Sequence, residues 1–324
     1  MAHAILVHEH GGPEVMRWEA VDVPAPGPGE AHVRNEAIGL NYIDVYHRTG
    51  LYPGGLPHGL GMEGAGVVLT VGDGVSEVAP GDRVAYADLP VGAYATERVM
   101  PAHRLVKLPE AIDFRTAAAM MLQGMTAQYL LRQTYVVRPG DTVLIHAAAG
   151  GVGLIACQWA RHLGATVIGT VGSPEKAELA KANGCTHPIL YRQEDLVKRV
   201  REITDGRGCE VVYDSVGKDT YIQSMDCLKK RGLLVIFGNS SGPVNALDTA
   251  LLAQKGSLYV TRPTLMVYNA DRADLLSTAA DLFNVVTLGV VRIAINQEYA
   301  LKDVAQAHRD LEARKTTGST ILLP

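Results

Sequence analysis

A chain of 324 residues, 47% hydrophobic and 20% charged, has the composition of a soluble globular protein and the length for two domains. Its net charge of −4 gives no electrostatic reason to expect a nucleic-acid partner, and no apolar run reaches the roughly 18 residues that span a bilayer. The start, Met1 to His10, lacks a basic segment and turns polar early, so no signal peptide and a cytoplasmic location are expected. The four cysteines, Cys157, Cys185, Cys209 and Cys227, are far apart with no Cys-x-x-Cys pair, which reads as reduced thiols. Cys157 is expected on the inner face of a helix.

Residues 1–120 read as mostly β. Extended stretches at 4–8, 16–23 and 31–40 are separated by Gly11-Gly12-Pro13 and Pro24-Ala25-Pro26-Gly27-Pro28-Gly29, which punctuate turns. Residues 66–71, 83–87 and 93–99 continue the pattern, with Pro80-Gly81-Asp82 as a tight turn, and suggest a small irregular barrel or sandwich. Near residue 113 the period changes. Asp113 is an N-cap candidate before Phe114-Arg115-Thr116-Ala117-Ala118-Ala119-Met120-Met121, and 126–136 reads as a second helix before Pro139-Gly140-Asp141. The first domain boundary is placed between these helices.

From Thr142 short apolar strands alternate with helix-length segments. The strands are expected at 142–146, 166–171, 188–191, 210–213, 233–237 and 257–260, and the helices at 151–163, 174–183, 195–204, 219–229 and 247–254. Six strands with intervening helices make an α/β fold, a doubly wound parallel sheet of Rossmann type. After residue 262 a helix at 271–288, a strand at 291–296, a helix at 301–314 and a strand at 319–323 form a tail too small to stand alone, expected to return to the first domain.

The first strand of the alternating region runs into Ala148-Ala149-Gly150-Gly151-Val152-Gly153, a variant of the dinucleotide fingerprint with alanine at its first position. A strand turning sharply into a helix leaves free N–H groups and a positive dipole end, which suit a pyrophosphate. Gly153 should let the helix pack close to the strand. The next strand ends in Gly172-Ser173-Pro174-Glu175-Lys176 with no carboxylate at its tip to hold a ribose 2′-hydroxyl, whereas Ser173 and Lys176 can bind a 2′-phosphate. NADPH is therefore expected over NADH. A solvated Lys176 is the plainer alternative.

Taken with both Pro-Gly-Asp turns, further stretches complete a pattern. They are Gly39-Leu40-Asn41-Tyr42-Ile43-Asp44-Val45-Tyr46, Arg48-Thr49-Gly50-Leu51-Tyr52-Pro53, Gly61-Met62-Glu63-Gly64-Ala65-Gly66, Tyr213-Asp214-Ser215-Val216-Gly217, Phe237-Gly238-Asn239-Ser240-Ser241-Gly242 and Tyr259-Val260-Thr261-Arg262-Pro263. Over nearly its whole length the chain resembles the zinc-independent quinone oxidoreductases (zeta-crystallin type) of the medium-chain dehydrogenase/reductase superfamily, closest to bacterial NADPH:quinone reductases. The resemblance implies a GroES-like, mostly-β catalytic domain from residues 1–123 with 266–324, a Rossmann dinucleotide-binding domain from 124–265, and a homodimer. Zinc-dependent members carry a histidine where the Gly-x-Glu stretch here has Met62, and an early cysteine that this chain lacks. No metal is expected.

By the same resemblance the acceptor lies in the interdomain cleft against Asn41, Tyr46 and Tyr52, with Arg262 facing it. Asn41, Tyr46, Thr126, Gly150, Gly151 and Val152 would meet the nicotinamide ribose and pyrophosphate. Ser173, Lys176, Tyr191 and Arg314 would surround the 2′-phosphate, and Ser215, Phe237, Asn239, Ser240 and Ser241 would cover the adenine and ribose. Plainer roles stay open: core aromatics for Tyr46 and Tyr52, a strand end for Tyr191, a structural or cofactor-phosphate contact for Arg262, and a dipole-favoured helix-end cation for Arg314. No residue stands out as an essential acid or base. The expected activity is metal-free, NADPH-dependent reduction of quinones by hydride or electron transfer. The nearest alternative is reduction of the C=C bond of α,β-unsaturated aldehydes or ketones, which needs an acid such as Tyr46 or Tyr52. Some relatives are lens proteins or bind AU-rich RNA, but the charge and the lack of a basic-aromatic stripe count against RNA here.

Overall fold

β-Branched and aromatic runs between Pro-Gly turns form the strands of the first part of the chain. They are β1 (Ala2–Val7), β2 (Met16–Val21), β3 (Glu30–Leu40), β4 (His58–Gly59), β5 (Glu63–Val71), β6 (Arg83–Ala87), β7 (Glu97–Pro101) and β8 (Val106–Lys107). Three helices join them: α1 (Tyr42–Thr49), α2 (Phe114–Ala118) and α3 (Met121–Tyr129). The computed structural model describes all 324 residues. It has two units: Met1–Met125 with Asn269–Thr287 and Ile293–Pro324, and Thr126–Tyr268 with Leu288–Arg292.

Three expectations for the first part need correction. β5 starts at Glu63 rather than residue 66, because Glu63 and Gly64 already pair with Gly39 and Ile38 of β3. A Cβ on Gly66 would lie 1.9 Å from the Arg34 carbonyl oxygen across the β3–β5 ladder. Residues 93–96 precede β7 and pair with β1 only through an isolated bridge, Ala4 to Ala95. Asn35 Nδ2 donates to the Ala93 and Ala95 carbonyls at 3.2 and 2.8 Å. The helix expected at 126–136 begins earlier, as α3, and ends in a π turn at Leu130–Thr134. Asp113 does cap α2, accepting from the Thr116 N–H at 2.7 Å.

The second unit is built on β9 (Thr142–Ile145), α4 (Gly151–His162), β10 (Thr166–Val171), α5 (Pro174–Ala182), β11 (His187–Leu190), α6 (Leu196–Ile203), β12 (Cys209–Asp214), α7 (Tyr221–Asp226), β13 (Leu228–Ile236), α8 (Thr249–Gln254) and β14 (Tyr259–Thr261). The strands are parallel in the order β11-β10-β9-β12-β13-β14, which is the doubly wound Rossmann order. α7 is shorter and β13 longer than the hydrophobic pattern suggests, because Leu228 already pairs with Cys209. Leu144, Ile168, Ile189, Val212 and Leu234 fill the core from neighbouring strands. All four cysteines are buried and free, Cys157 on the inner face of α4.

After α9 (Leu265–Tyr268), the tail carries α10 (Arg272–Thr287), β15 (Ile295–Ala300), α11 (Val304–Glu312) and β16 (Ser319–Leu323). β16 pairs with β3 and β15 with β16, which places the tail strands in the large sheet of the first unit, β15-β16-β3-β5-β6-β8 with β7 on β3. β15 sits later than the expected 291–296. Residues 288–292 belong to the second unit instead, tied by Gln158, whose amide exchanges bonds of 2.9 and 3.1 Å with the backbone of Arg292.

Candidate active site

The glycine turn stands at the end of β9, beside the switch point of the sheet between β9 and β12. Ala147 adopts a left-handed φ of +52°, an unfavourable conformation held by its surroundings. Under it His146 is buried between Thr170 and Ser224, with Nδ1 3.0 Å from Thr170 Oγ1 and Nε2 2.9 Å from Ser224 Oγ. Ser224 donates to Asp214 at 2.8 Å, so His146 Nε2 carries the proton and Nδ1 accepts. Burial lowers the His146 pKa and keeps the ring neutral. Gly150 is the N-cap of α4, and no side chain caps that end. The first N–H groups of α4 are thus left for an anion. A Cβ on Gly153 would lie 2.3 Å from the Ala147 carbonyl oxygen, so only glycine lets α4 start this close to the turn.

At the end of β10, Ser173 caps α5 and accepts from the Lys176 N–H at 3.4 Å. Tyr191, just past β11, brings its hydroxyl to the same place: a Cβ on Gly172 would lie 3.2 Å from it. Ser173, Lys176 and Tyr191 therefore gather on one rim of the sheet. The Glu175 carboxylate stands there too, exposed, its pKa lowered by the hydroxyl of Ser173. Arg314 follows α11 in the first unit, exposed and at a left-handed φ of +58°. Thr126 lies buried in α3.

The ends of β12 and β13 are laced together. Asp214 accepts from the backbone of Val216 and Gly217 and from Thr220, which curls the chain at Ser215. Phe237 N–H donates to the Asp214 carbonyl, Ser240 N–H to that of Ser215 and Ser241 N–H to that of Val216. A Cβ on Gly238 would come within 2.5 Å of the Ser215 carbonyl oxygen, so the two strand ends touch. Arg262, after β14, donates to the Pro263 carbonyl at 2.7 Å and to the Asn239 amide oxygen at 3.3 Å. Ser215, Phe237, Asn239, Ser240, Ser241 and Arg262 thus form one cluster.

In the first unit, Asn41 ends β3 and caps α1, and Tyr46 lies one turn further along that helix. Tyr46 is buried and meets Tyr52 edge to face, ring centroids 5.2 Å apart, with Tyr42 on its other side at 5.5 Å. The Tyr52 N–H donates to the Tyr46 carbonyl at 3.1 Å, which holds the loop after α1 against the helix. Asn41 itself is held by residues that are not among the expected site residues. Its Nδ2 donates to Glu63 at 2.6 Å and its Oδ1 accepts from Gln123 at 3.0 Å. Its backbone N–H donates to Asp44, which also accepts from the Tyr94 hydroxyl at 2.7 Å. Burial pushes the pKa of Asp44 up to about 7 and that of Glu63 up to about 8. Met62, in the Gly-x-Glu stretch, is fully buried. A thioether beside a carboxylate already taken up by Asn41 is a poor zinc donor set, and no three His, Cys, Asp or Glu side chains gather in a way that could hold a metal ion.

Comparison with known proteins agrees with this geometry. Residues 27–110 match the family described as alcohol dehydrogenase GroES-like domain, and residues 151–281 the one described as zinc-binding dehydrogenase. The quinone oxidoreductase of Pseudomonas aeruginosa is 57% identical over 326 residues, covering all of both chains. The chain belongs to the zinc-independent quinone oxidoreductases of the medium-chain dehydrogenase/reductase superfamily. A crystal structure of Escherichia coli quinone oxidoreductase complexed with NADPH superposes with a TM-score of 0.98 at 50% identity, over 99% of this chain and 100% of that one. A 2-haloacrylate reductase from Burkholderia is 47% identical over 100% of this chain and 99% of its own. The two-part fold, GroES-like and Rossmann, is that of the family.

Proposed function

We propose that this chain, an NADPH-dependent oxidoreductase of that family, reduces quinones. The observation that carries the reading is the aromatic pair of the first unit: Tyr46 and Tyr52 stand edge to face, Tyr46 on the helix that Asn41 caps, with the Asn41 amide held by Glu63 and Gln123. A flat acceptor suits such a face. A quinone needs no Lewis acid, since its carbonyl oxygens take up the developing charge and water can supply the protons. NADPH supplies the hydride when bound. Gly150, Gly151 and Val152 are assigned to its pyrophosphate, and Ser173, Lys176, Tyr191 and Arg314 to its 2′-phosphate. Thr126, Ser215, Phe237, Asn239, Ser240 and Ser241 are assigned to the ribose and adenine, and Arg262 to charge on the acceptor.

The 2-haloacrylate reductase among the relatives favours a second reading, reduction of an activated C=C bond. That chemistry needs a proton on carbon, and Tyr46 or Tyr52 would have to give it. Tyr46→Phe reads the role of the ring. If the ring only stacks, quinone turnover stays within about threefold of the native enzyme. A loss of about 1000-fold, ~4 kcal/mol of barrier, would make Tyr46 a proton donor. Turnover of an enone with quinones inert would overturn the quinone reading.

A further inference from the structure

Behind Asn41 runs a buried hydrogen-bond chain that ends on a backbone carbonyl. Glu63 Oε1 accepts from the Leu122 N–H at 2.9 Å, and Oε2 from Asn41 Nδ2 at 2.6 Å. Asn41 Oδ1 accepts from Gln123 Nε2 at 3.0 Å, and Gln123 Oε1 from Ser319 Oγ at 2.7 Å. Ser319 Oγ also lies 2.8 Å from the Ala119 carbonyl oxygen. A hydroxyl has one proton, so Ser319 can serve only one of these two acceptors at a time.

That surplus acceptor gives the chain a second direction. With Glu63 ionised, protons point from Ser319 through Gln123 and Asn41 to the carboxylate. With Glu63 protonated at Oε2, its O–H donates to Asn41 Oδ1, Asn41 Nδ2 to Gln123 Oε1, Gln123 Nε2 to Ser319 Oγ, and Ser319 to Ala119. The two amides turn over in place, each side chain keeps its partners either way, and only the Ala119 carbonyl goes without Ser319 when Glu63 is ionised. We propose that Glu63 is the positioning residue of Asn41, and that its protonation reverses this chain and exchanges the donor and acceptor edges that Asn41 offers a bound ligand. The last clause rests on the placement of Asn41 in the ligand site proposed above.

The surroundings make both forms accessible. Glu63 is buried, and no lysine, arginine or histidine forms an ion pair with it. The charged or titratable groups facing it are Asp44 from α1, Tyr86 from β6 and Tyr94 from the loop before β7, with Arg98 of β7 lying over the Tyr86 ring. From β3 only Gly39 reaches it: a Cβ there would lie 2.2 Å from Glu63 Oε2. From the start of α3 come the N–H groups of Met121 and Leu122. Burial outweighs these N–H donors and pushes the carboxyl pKa up to about 8.

The test is an NMR titration of the side-chain amides of Asn41 and Gln123 in the full chain between pH 6 and pH 10. Both amides should move together in one transition. In Glu63→Gln, Oε1 keeps the Leu122 N–H and Nε2 donates to Asn41, so both amides should hold their acid-form shifts throughout. Amides that do not titrate in the native protein overturn the proposal, with no variant needed. So does an unchanged transition in Glu63→Gln. Steady-state kinetics then reads the ligand side. KM for NADPH or for 9,10-phenanthrenequinone should change about tenfold across the same transition, and not in Glu63→Gln. Reversing amides with a pH-independent KM overturn the ligand-facing part while leaving quinone turnover itself intact. Absence of quinone turnover altogether would instead overturn the proposed function.

Discussion

Replacing Gly153 by alanine probes the glycine turn at its tightest point. A Cβ there would lie 2.3 Å from the Ala147 carbonyl oxygen and 2.8 Å from both the carbonyl carbon and the Cα of Ala148. All three are backbone atoms, so none can rotate aside. With ordinary contact starting at 3.4 Å, the first turn of α4 must retreat by roughly 1 Å. Overpacking of this kind costs about 1–3 kcal/mol, and misplacing a positioning element by about 1 Å reaches a hundredfold in rate. Thermal unfolding and NADPH fluorescence titration read the two effects. Gly153→Ala should melt several degrees lower and bind NADPH at least ~10-fold more weakly. Gly150→Ala is the control, since its Cβ would meet nothing closer than the Ala147 oxygen at 3.2 Å. It should be much milder on the melting temperature. A Gly153→Ala protein with native melting temperature and native affinity would refute the reasoning.

Two further predictions follow from charge. A Lys176→Ala, Arg314→Ala double variant should raise KM for NADPH by about tenfold or more and leave NADH turnover nearly unchanged; unaltered NADPH affinity in steady-state assays would remove both residues from the 2′-phosphate. The buried acids Asp44 and Glu63 have folded pKa values raised to about 7 and about 8, above their usual 3.8 and 4.5. Between those limits the folded state holds more protons than the unfolded, so stability from these groups falls as pH rises from about 4 to about 8. Asp44→Asn should flatten that slope in urea unfolding measured across the range and gain on the native protein at the alkaline end; an unchanged slope would contradict it. His308 works on the other side. Burial beside Arg48 lowers it to about 3, so its contribution is lost as pH falls below the usual 6.5.

How much of this could be read from sequence depended on the range over which a residue acts. Gly153 was legible because its reason lies within the same turn: strand, bend and helix follow one another within a dozen residues. The Rossmann strands were legible for the same reason, each a short apolar run beside its own helix. The start of β5 at Glu63 was missed because its reason is a partner on another strand: Gly66 lets β5 come close to the Arg34 backbone of β3. Glu63 stood in a quoted motif stretch but received no role, because its partners Asn41 and Leu122 lie 22 and 59 residues away. Gln123 and Ser319, 196 residues apart, complete the same chain of bonds only once the tail strand joins the front sheet. Residues 288–292 went to the other unit because one glutamine, Gln158, binds their backbone. The strand ends of the second unit, where Ser173, Ser215 and Phe237 stand, follow from local sequence, since each closes or follows a short apolar run.

The most direct test is NADPH oxidation followed at 340 nm with 9,10-phenanthrenequinone, 1,4-benzoquinone and an enone compared side by side. Quinone reductase activity predicts a kcat/KM for the better quinone at least ~100-fold above that for the enone, a barrier difference of about 2.7 kcal/mol. Efficient enone turnover with both quinones inert would contradict it.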